Sequence, residues 1–277
     1  MGKENSEVKS KIKEILKQNP RLSNREIGKL VGLTRNAVQW HIKSLGITRN
    51  RKELQRVNNT KRSFEINISD NAEQIILGSI LGDGSISKWK RSNDSKLNLN
   101  SKLSILHTEP QLDYLLYKKK LLEENGIRCA KIVKTSKEKI ALLNPTILGR
   151  PYTINNRYTL YTRRAVSFNK YRDLFYKSKK YINRYIYKLK PLGLAIWYMD
   201  DGNKLHNTYT FNTQCFDLKS LKILQKMLLH NFNIKTSLNK ASVKHYRIYI
   251  RRESADLFYS LVKPFICKSM EYKLYIK

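Results

Sequence analysis

Two apolar segments of this chain end in the same way, on an aspartate followed by a glycine. They are IILGSILGDG at residues 75–84 and GLAIWYMDDG at residues 193–202, and each has the pattern of a buried helix. Carboxylates rarely lie at the end of a buried segment unless something neutralises them. Asp83 and Asp201, which occupy the same position in the two segments, are therefore the first candidate functional residues.

The sequence after each segment also repeats, in the same order. Three further pairs of segments match: residues 102–127 with 208–234, 158–164 with 246–252, and 173–182 with 269–276. Each copy contains predicted strands, an amphipathic helix and a closing helix with a lysine, Lys180 or Lys273. Matching pairs in one order indicate a duplication. The sequence therefore predicts an α+β fold in which each half has an antiparallel sheet.

The chain carries far more positive than negative charge. Its 277 residues include 55 Lys plus Arg against 22 Asp plus Glu, a formal net charge of +33, and 40% of the residues are hydrophobic. Enough apolar residues are present for a folded core, so a disordered polycation is excluded. A structured basic surface favours a polyanion as partner, and nucleic acid is the first candidate.

Other classes are disfavoured by what the sequence lacks. Cys129, Cys215 and Cys267 are widely separated, and no CxxC, HxxxH or HExxH pattern occurs, which argues against a zinc finger or a disulfide framework. No apolar segment reaches the ~18 residues needed to span a bilayer, and the N-terminus lacks a signal-peptide core. We expect a soluble intracellular protein of a bacterial cytoplasm or an organelle matrix, not secreted and without a membrane partner.

Alternation along the repeated strand predicts which of its residues face solvent. Leu160, Ile248 and Ile250 are predicted to face inward, with Tyr158 on the same side as Leu160. The predicted outward residues are Thr159, Tyr161, Arg163, Arg247, Tyr249 and Arg251. Exposed arginine and tyrosine favour contact with phosphates and base edges, whereas an ordinary solvated face would more often mix Thr, Glu and Lys. For residues 97–107 pairing and alternation disagree, so no face is predicted.

The first 50 residues resemble the helix-turn-helix domains of DNA-binding proteins. A capping box of Ser23 and Glu26 starts the second of three predicted helices, and Thr34 caps the third. Gly28 and Gly32 supply the close packing and the bend that this motif needs. The predicted apolar positions are Val8, Ile12, Ile15, Leu16, Ile27, Leu30, Val31, Val38, Ile42 and Leu45.

The third predicted helix has a polar face that fits a major groove. Its predicted DNA-contacting residues are Arg35, Asn36, Gln39 and Lys43. The alternative is a three-helix packing module whose polar face is only solvated. Residues 51–69 are predicted to be a basic linker that also touches phosphate, which leaves residues 1–50 as the helix-turn-helix domain.

The two aspartates predict a metal site if the helices before them pack side by side. Gly78 and Gly82 give the first helix a bare stripe that permits close approach, so Asp83 and Asp201 would meet at one end of the contact. Two carboxylates forced together repel or share a proton, and a divalent cation relieves that repulsion. Oxygen ligands without His or Cys favour Mg²⁺ over zinc. One aspartate–glycine pair alone would fit an ordinary turn equally well.

Carboxylate-held Mg²⁺ beneath a basic sheet is suited to phosphodiester hydrolysis, because the metal activates a water and stabilises charge on the phosphate. Lys180 and Lys273 occupy matching places and are candidate partners for that charge. The simpler interpretation of any lysine in so basic a chain is surface charge. His107 and Gln214 are also assigned matching places and could order the attacking water.

These motifs together resemble one family. LAIWYMDDG at 194–202 aligns position for position with the nine-residue LAGLIDADG motif, and residues 76–84 supply a divergent first copy. The chain resembles the two-motif LAGLIDADG homing endonucleases, in the subgroup of the yeast mitochondrial intron endonuclease. Further matches are KKYI (179–182), FNTQCF (211–216), YRIY (246–249), VKPFI (262–266) and YKL (272–274). The resemblance covers about residues 70–277 and leaves residues 1–60 unexplained.

The resemblance implies a pseudo-twofold monomer of two α-β-β-α-β-β-α subdomains, at residues 70–190 and 191–277. Their saddle-shaped sheets would bind the major groove of a long, nearly asymmetric site in double-stranded DNA. Both strands would be cut across the minor groove, leaving short 3′ overhangs.

The resemblance also assigns roles to site residues. Asp83 and Asp201 would be the catalytic acids that hold Mg²⁺, for which Mn²⁺ can substitute. The main-chain carbonyls of Gly82 and Asp200 would assist them. The two lysines named above match the basic active-site positions of the family.

Two departures from the motif are evident. Ile196 stands where the family usually has a small residue, which predicts looser packing between the two helices at that point. Ser79 and Leu81 depart from the nine letters in the first copy. Neither change affects the acids.

Two other functions stay open on the sequence alone. Some members of the family are RNA maturases that help their host intron to splice, with or without cutting DNA, so intron RNA is a second candidate partner. The other is a transcription regulator, in which a helix-turn-helix is joined to a decayed endonuclease fold. A regulator would be expected to lose an acid, and this chain keeps both acids and both lysines.

Overall fold

The computed structural model describes most of the chain, namely residues 2–20, 22–49, 65–87, 100–143, 154–177, 179–242 and 245–275. The chain divides into two units, Met1–Phe64 and Glu65–Lys277. Up to residue 64, the predicted linker lies outside the described residues. Beyond it, the Ile66 N–H donates to Ser167 Oγ at 3.0 Å, and Ile66 and Ile68 pack against the core of the second unit. Residues 65–69 are therefore packed on that unit.

The first unit contains three helices, α1 (Gly2–Gln18), α2 (Asn24–Val31) and α3 (Arg35–Ser44). The predicted capping box is present: the Glu26 N–H donates to Ser23 Oγ at 3.2 Å, and the Ser23 N–H donates to the Glu26 carboxylate at 2.7 Å. Thr34 caps α3 by accepting from the Ala37 N–H at 3.2 Å. Gly32 ends α2 with φ of 71°, a left-handed conformation that favours glycine.

The apolar residues of the three helices form one small core. Its fully or nearly buried members are Ile12, Leu16, Ile27, Val38 and Ile42. The prediction that Leu30 belongs to this core is wrong, since Leu30 is 64% exposed. The buried side of α2 contains Ile27 and Gly28, where a Cβ would lie 2.3 Å from the Leu33 carbonyl oxygen. That orientation leaves Leu30 on the outer flank of the helix.

The second unit consists of two four-stranded antiparallel sheets with their helices. The first half contains α4 (Asp70–Leu81), β1 (Gly84–Ser87), β2 (Lys102–Thr108), α5 (Leu112–Glu124), β3 (Val133–Thr135), α6 (Lys137–Leu143), β4 (Arg157–Tyr161) and α7 (Asn169–Phe175). The second half contains α8 (Pro191–Asp201), β5 (Gly202–Lys204), β6 (Tyr209–Phe211), α9 (Leu218–Phe232), β7 (Thr236–Ser242), β8 (His245–Ile250) and α10 (Ala255–Val262). The strand orders β1-β2-β4-β3 and β5-β6-β8-β7 are equivalent, which confirms the α+β fold class.

The segments that carry the two predicted lysines are not α-helices. Lys180 follows the end of α7 and pairs with Tyr176 in an isolated bridge. Lys273 ends a short 3-10 helix, Lys268–Lys273. These compact turns bring each lysine back to the end of a central helix.

One face of each sheet packs against helices, and the other, which we call the open face, is largely accessible among the described residues. The buried residues of the central strands are Leu103, Ile105, His107, Leu160, Tyr209, Thr210, Phe211, Ile248 and Ile250. Alternation therefore predicts the inward side of β4 and β8 correctly. In β2, for which no face was predicted, Leu106 points outward and is 42% exposed.

Strand pairing fixes which residues of the two halves correspond. Gly84 pairs with Ile105, just as Gly202 pairs with Phe211 in the second half. Counted from these pairs, His107 corresponds to Thr213, and Gln214 corresponds to Thr108. The predicted correspondence of His107 with Gln214 is therefore wrong by one residue, because local sequence similarity does not specify a strand register.

The helices before the acids, α4 and α8, pack directly against each other, and we call their contact the seam. A Cβ on Gly78 would lie 2.4 Å from the Gly193 carbonyl oxygen and 2.8 Å from Ile196 Cβ. A Cβ on Gly82 would lie 2.3 Å from Asp200 Cβ. The predicted glycine stripe is confirmed. The looser packing predicted at Ile196 is wrong, since this fully buried side chain lies against bare Gly78.

Candidate active site and metal centre

The two predicted acids lie at the end of the seam. Asp83 follows α4 and its side chain is 40% accessible, whereas Asp201 ends α8 and is half-buried. The main-chain N–H of Asp83 donates to Asp200 Oδ2 at 3.1 Å, so the second half holds the backbone of the first at this point. The duplicated segments therefore converge as their packing predicts.

Burial and mutual repulsion act on both carboxylates. Burial raises the pKa of Asp83 to about 6, with a further contribution from the negative charge of Asp200. Burial raises the pKa of Asp201 to about 7, with further contributions from Asp83 and Asp200. The site therefore concentrates more negative charge than the surrounding protein neutralises, which favours a bound cation.

Both predicted lysines reach the acidic helix ends, each within its own half. Lys180 Nζ donates to the carbonyls of Ile80 at 2.7 Å and of Gly82 at 3.2 Å. Lys273 Nζ donates to the carbonyls of Met199 at 2.6 Å and Asp200 at 3.2 Å. Burial lowers the pKa of both ammonium groups. Because a helix C-terminus carries partial negative charge, these lysines stabilise the two helix ends.

A buried charge network beside the acids was missed by sequence reasoning. Lys118 Nζ lies 2.5 Å from Asp200 Oδ1, and both side chains are fully buried. The Tyr114 hydroxyl donates to the same carboxylate oxygen at 2.8 Å, and burial raises the pKa of Tyr114 well above its usual value. A signal was present, since Lys118 lies on the same face of its helix as buried Leu115 and Leu122.

Among the described residues, this network has no counterpart in the second half. Lys118 and Tyr114 occupy the same positions in α5 as Leu224 and Ser220 occupy in α9. Asp200 likewise corresponds to Gly82 of the first motif, which has no side chain. The first half therefore supplies the cation, and the second half supplies the anion.

His107 lies between the carboxylates of Asp83 and Asp200. Its Nδ1 is 3.5 Å from Asp83 Oδ2 and 3.2 Å from Gln111 Oε1, and its Nε2 is 3.8 Å from Asp200 Oδ1. Burial, with the nearby charge of Lys118, lowers the pKa of His107 to about 4, so the ring is neutral at pH 7.

The residue that corresponds to His107 in the second half has a structural role. Thr213 Oγ1 donates to the Tyr246 carbonyl and accepts from the Ile248 N–H, both at 3.1 Å. Gln214 is half-buried, and its carbonyl is 2.8 Å from His245 Nδ1.

The donor atoms at the seam fit a metal ion with oxygen ligands. Asp83, His107 and Asp200 place ligand-type atoms within 4.8 Å of one another. However, the Asp200 carboxylate is already committed to Lys118, Tyr114 and the Asp83 N–H. The remaining donors are the Asp83 and Asp201 carboxylates, together with the second lone pairs of the Gly82 and Asp200 carbonyls, which also accept from Lys180 and Lys273. An all-oxygen set of this kind suits Mg²⁺.

The residues predicted to contact DNA are accessible. Arg35, Asn36, Gln39 and Lys43 are all exposed on α3. In the sheets, Arg163, Arg247 and Arg251 are exposed, and Thr159, Tyr161 and Tyr249 are half-buried. None of the helices in the described part of the chain combines the length and the apolar character needed to cross a membrane.

Comparison with known proteins gives the class to which this site belongs. Residues 73–258 match the LAGLIDADG DNA endonuclease family, and residues 6–46 match a winged helix-turn-helix DNA-binding family. The first match extends over more than half of the chain. The protein therefore belongs to the LAGLIDADG DNA endonuclease family, with a helix-turn-helix at its N-terminus.

Individual relatives have two kinds of name. The cytochrome b mRNA maturase bI2 of Saccharomyces cerevisiae is 29% identical over 241 residues, which cover 84% of this chain and 55% of that protein. The DNA endonuclease I-ChuI of Chlamydomonas applanata is 26% identical over 233 residues, which cover 76% of this chain and 96% of that protein.

A solved structure has the same fold. The homing endonuclease I-WcaI, solved bound to its DNA recognition sequence, superposes with a TM-score of 0.63 at 24% identity. The superposition covers 85% of this chain and 97% of I-WcaI. This similarity supports the arrangement of two LAGLIDADG halves described above.

Proposed function

We propose that this chain is a site-specific endonuclease that uses a divalent metal to cut both strands of a long double-stranded DNA target. The observation that carries the proposal is the meeting of two acidic helix ends, where the Asp83 N–H donates to the Asp200 carboxylate across the seam. The net charge of +33 favours a polyanionic substrate. The family and the DNA-bound relative I-WcaI support duplex DNA as that substrate.

Asp83 and Asp201 would hold the metal, with the carbonyls of Gly82 and Asp200 as additional oxygen ligands. When bound, the ion lowers the pKa of an attacking water and stabilises charge that develops on the phosphate. Mg²⁺ is the ion that the donors favour, and Mn²⁺ can take its place. His107 is neutral and lies beside Asp83, so it could order the attacking water if a water replaced Gln111 at its Nδ1.

Lys180 and Lys273 would offset charge on the scissile phosphates. Each ammonium group is anchored on main-chain carbonyls next to the acid of its own half. A positive charge that is already held in place needs no rearrangement when negative charge develops in the transition state.

The open faces of the sheets would bind the DNA, with the protein acting as a monomer. The proposed contact residues are Thr159, Tyr161, Arg163, Gln214, Arg247, Tyr249 and Arg251, within subdomains 70–190 and 191–277. Residues 1–50 would add a second DNA contact through Arg35, Asn36, Gln39 and Lys43. The site of action would be a compartment that holds DNA, either a bacterial cytoplasm or an organelle matrix.

The test compares wild type with Asp83→Asn and Asp201→Asn on a randomised duplex library in Mg²⁺. Each variant should lower cleavage by about two orders of magnitude or more, because it removes a charged metal ligand. Binding to duplex in EDTA should persist. Asp173→Asn, a change to an exposed aspartate of α7, is the matched control and should cut like wild type. Wild-type protein that binds a specific duplex without nicking it would instead indicate a transcription regulator.

Maturase activity is the second candidate, favoured by the name of the Saccharomyces relative. The Asp→Asn variants separate the two functions, since splicing assistance does not need the DNA-cutting metal site. A maturase should promote splicing of its intron RNA in vitro equally well with wild type and with Asp83→Asn. Tight binding to structured intron RNA, with no cleavage of any duplex, would replace the endonuclease proposal.

A further inference from the structure

The open face of the first sheet carries an apolar row across three strands. Leu106 of β2 pairs with Thr159 of β4, and Thr159 pairs with Val133 of β3. Residues paired directly across antiparallel strands point to the same face, so these three side chains are neighbours. Leu106 is 42% exposed and Val133 is 48% exposed. The neighbouring pair on the same face, Ser104 with Tyr161, is polar.

The corresponding row of the second sheet is polar and charged. Leu160 pairs with Ile105, which pairs with Gly84, and Ile248 pairs with Phe211, which pairs with Gly202. Since Gly84 and Gly202 each follow one of the two acids, Leu160 and Ile248 occupy equivalent positions. Thr159 therefore corresponds to Arg247. Val133, the partner of Thr159, corresponds to Asn239, the partner of Arg247. Both residues of the second row are exposed. The two sheets thus present different chemistry at one equivalent place.

We propose that the apolar row of Leu106, Thr159 and Val133 contacts thymine methyl groups in one half of the DNA target. The row of Arg247 and Asn239 contacts purine edges in the other half. The thymine methyl is the apolar group that base pairs display in the major groove, whereas arginine suits guanine and asparagine suits adenine. This inference rests on the proposed DNA-binding function and specifies how the two half-sites differ.

Charge and burial support DNA as the occupant of this face. Leu106 and Val133 lie on either side of Thr159 and expose apolar atoms that a thymine methyl group would remove from water. The chain around them is strongly basic, which opposes a second copy of the same chain and attracts a polyanion. RNA has uracil in place of thymine and lacks the methyl group. The row therefore favours DNA over intron RNA as the ligand of this sheet.

The experiment uses duplexes selected for binding to the full chain in EDTA, so it does not depend on cleavage. Each thymine of the selected site is replaced in turn by deoxyuridine, which removes the methyl group alone. At one or more thymines confined to one half-site, this removal should weaken binding about fourfold per methyl, the effect of one buried methyl-sized group. A site with no methyl-sensitive thymine would overturn the proposal.

Matched variants assign the methyl contact to the row. Leu106→Asn combined with Val133→Asn should bind thymine and deoxyuridine duplexes equally at the sensitive positions. Leu116→Asn is the control, because Leu116 is a similarly exposed leucine, 47%, on α5. It should keep the methyl effect. A methyl effect that persists in the double variant would refute the assignment. Cleavage in Mg²⁺ is scored separately, so failure of the endonuclease proposal and failure of the row proposal can be told apart.

Discussion

Asp200 and Gly82 occupy the same position in the two motifs, and their difference organises the centre of the molecule. Asp200 fills the space that a side chain on Gly82 would need. Its carboxylate accepts from Lys118, from Tyr114 and from the Asp83 N–H. An unpaired buried carboxylate costs several kcal/mol, roughly 3–5 when its partner is removed. The backbone of Asp83, a proposed metal ligand, is thus held by the carboxylate of an ion pair that spans the two halves.

Lys118→Met should lower the free energy of unfolding by about 3–5 kcal/mol, because it leaves the Asp200 carboxylate buried without its cation. Lys119→Met is the matched control. Lys119 pairs with Glu123 at 2.7 Å on the surface, an interaction worth about 0–1 kcal/mol. Urea unfolding of the two variants measures the difference. Equal losses of stability would contradict the role given to Lys118.

The raised pKa values of Asp83 and Asp201 predict a pH dependence of metal binding. Both lie above the ordinary 3.8, at about 6 and about 7. Between pH 4 and 7 the folded state therefore binds more protons than the unfolded state, and metal-free stability falls as pH rises. Protons compete with the metal, so the increase in Tm caused by Mg²⁺ should be larger at pH 8 than at pH 5.5. Thermal unfolding with Mg²⁺ or EDTA checks this, and Asp201→Asn should reduce the difference.

At this scale the sequence predicts the positions of the two aspartates and two lysines, but not the side chains around them. Asp83, Asp201, Lys180 and Lys273 each lie in a repeated local motif, so comparison of the two copies is sufficient to find them. The partner of Lys118 depends on how α5 meets the end of α8, which no local pattern encodes. The same limit explains the one-residue error at His107.

The seam helices pack closely because glycines at their contact have no side chains. α4 and α8 are almost entirely buried, and the absence of side chains at Gly78 and Gly193 lets their backbones approach closely. Gln74 lies at the other end of the seam, where it donates to the Lys188 carbonyl at 3.0 Å and accepts from the Lys190 N–H at 2.7 Å. The polar side chain of Gln74 thus provides hydrogen-bond partners for the backbone groups that precede α8.

Gly78→Ala should destabilise the second unit by about 1–3 kcal/mol, because its Cβ would meet the Gly193 carbonyl oxygen at 2.4 Å. It should also slow cleavage, since the helices carry the acids. Ser79→Ala, in the next position, is the control: that side chain is buried and its hydroxyl has no hydrogen-bond partner among the described residues. Chemical unfolding and plasmid cleavage test both variants. A neutral Gly78→Ala would show that the seam can open without cost.

The molecule as a whole combines two units that can be tested apart. The unit at residues 65–277 has its own core and contains every residue assigned to the metal site. A fragment of these residues should therefore cut the same duplex as the full chain. Its binding to duplex should depend less steeply on salt. The slope of log K against log salt concentration should be smaller by about 0.9 for each phosphate that residues 1–64 neutralise in the full chain.

Arg35→Ala combined with Lys43→Ala in the full chain is the companion variant for this test. Both residues are exposed on α3, so the fold of the first unit should be unaffected. The variant should shift the salt slope in the same direction as the truncation. Binding titrations over a range of NaCl concentrations provide the measurement. An unchanged slope in both would argue that residues 1–64 have a role other than DNA contact.

The overall fold is predictable because the duplication presents each sequence motif in two copies. Four pairs of segments in one order specify the α+β halves, and the capping box and glycine turn specify the first unit. What escapes prediction is the additional helix α6, the exposed position of Leu30, and the compact turns that carry the two lysines. Lys180 and Lys273 bind carbonyls that lie 100 and 74 residues away in the chain, so no local pattern specifies their turns.

The one-sided pair of Lys118 and Asp200 also limits how this architecture can evolve. Two copies of the first half would each bury Lys118 opposite Gly82, without the Asp200 carboxylate that pairs with it. Two copies of the second half would bring two Asp200 carboxylates into a space that holds only one. Each would face Leu224 in place of Lys118. A symmetric dimer of either unchanged half would therefore lack the Lys118–Asp200 pair that joins the two unlike halves.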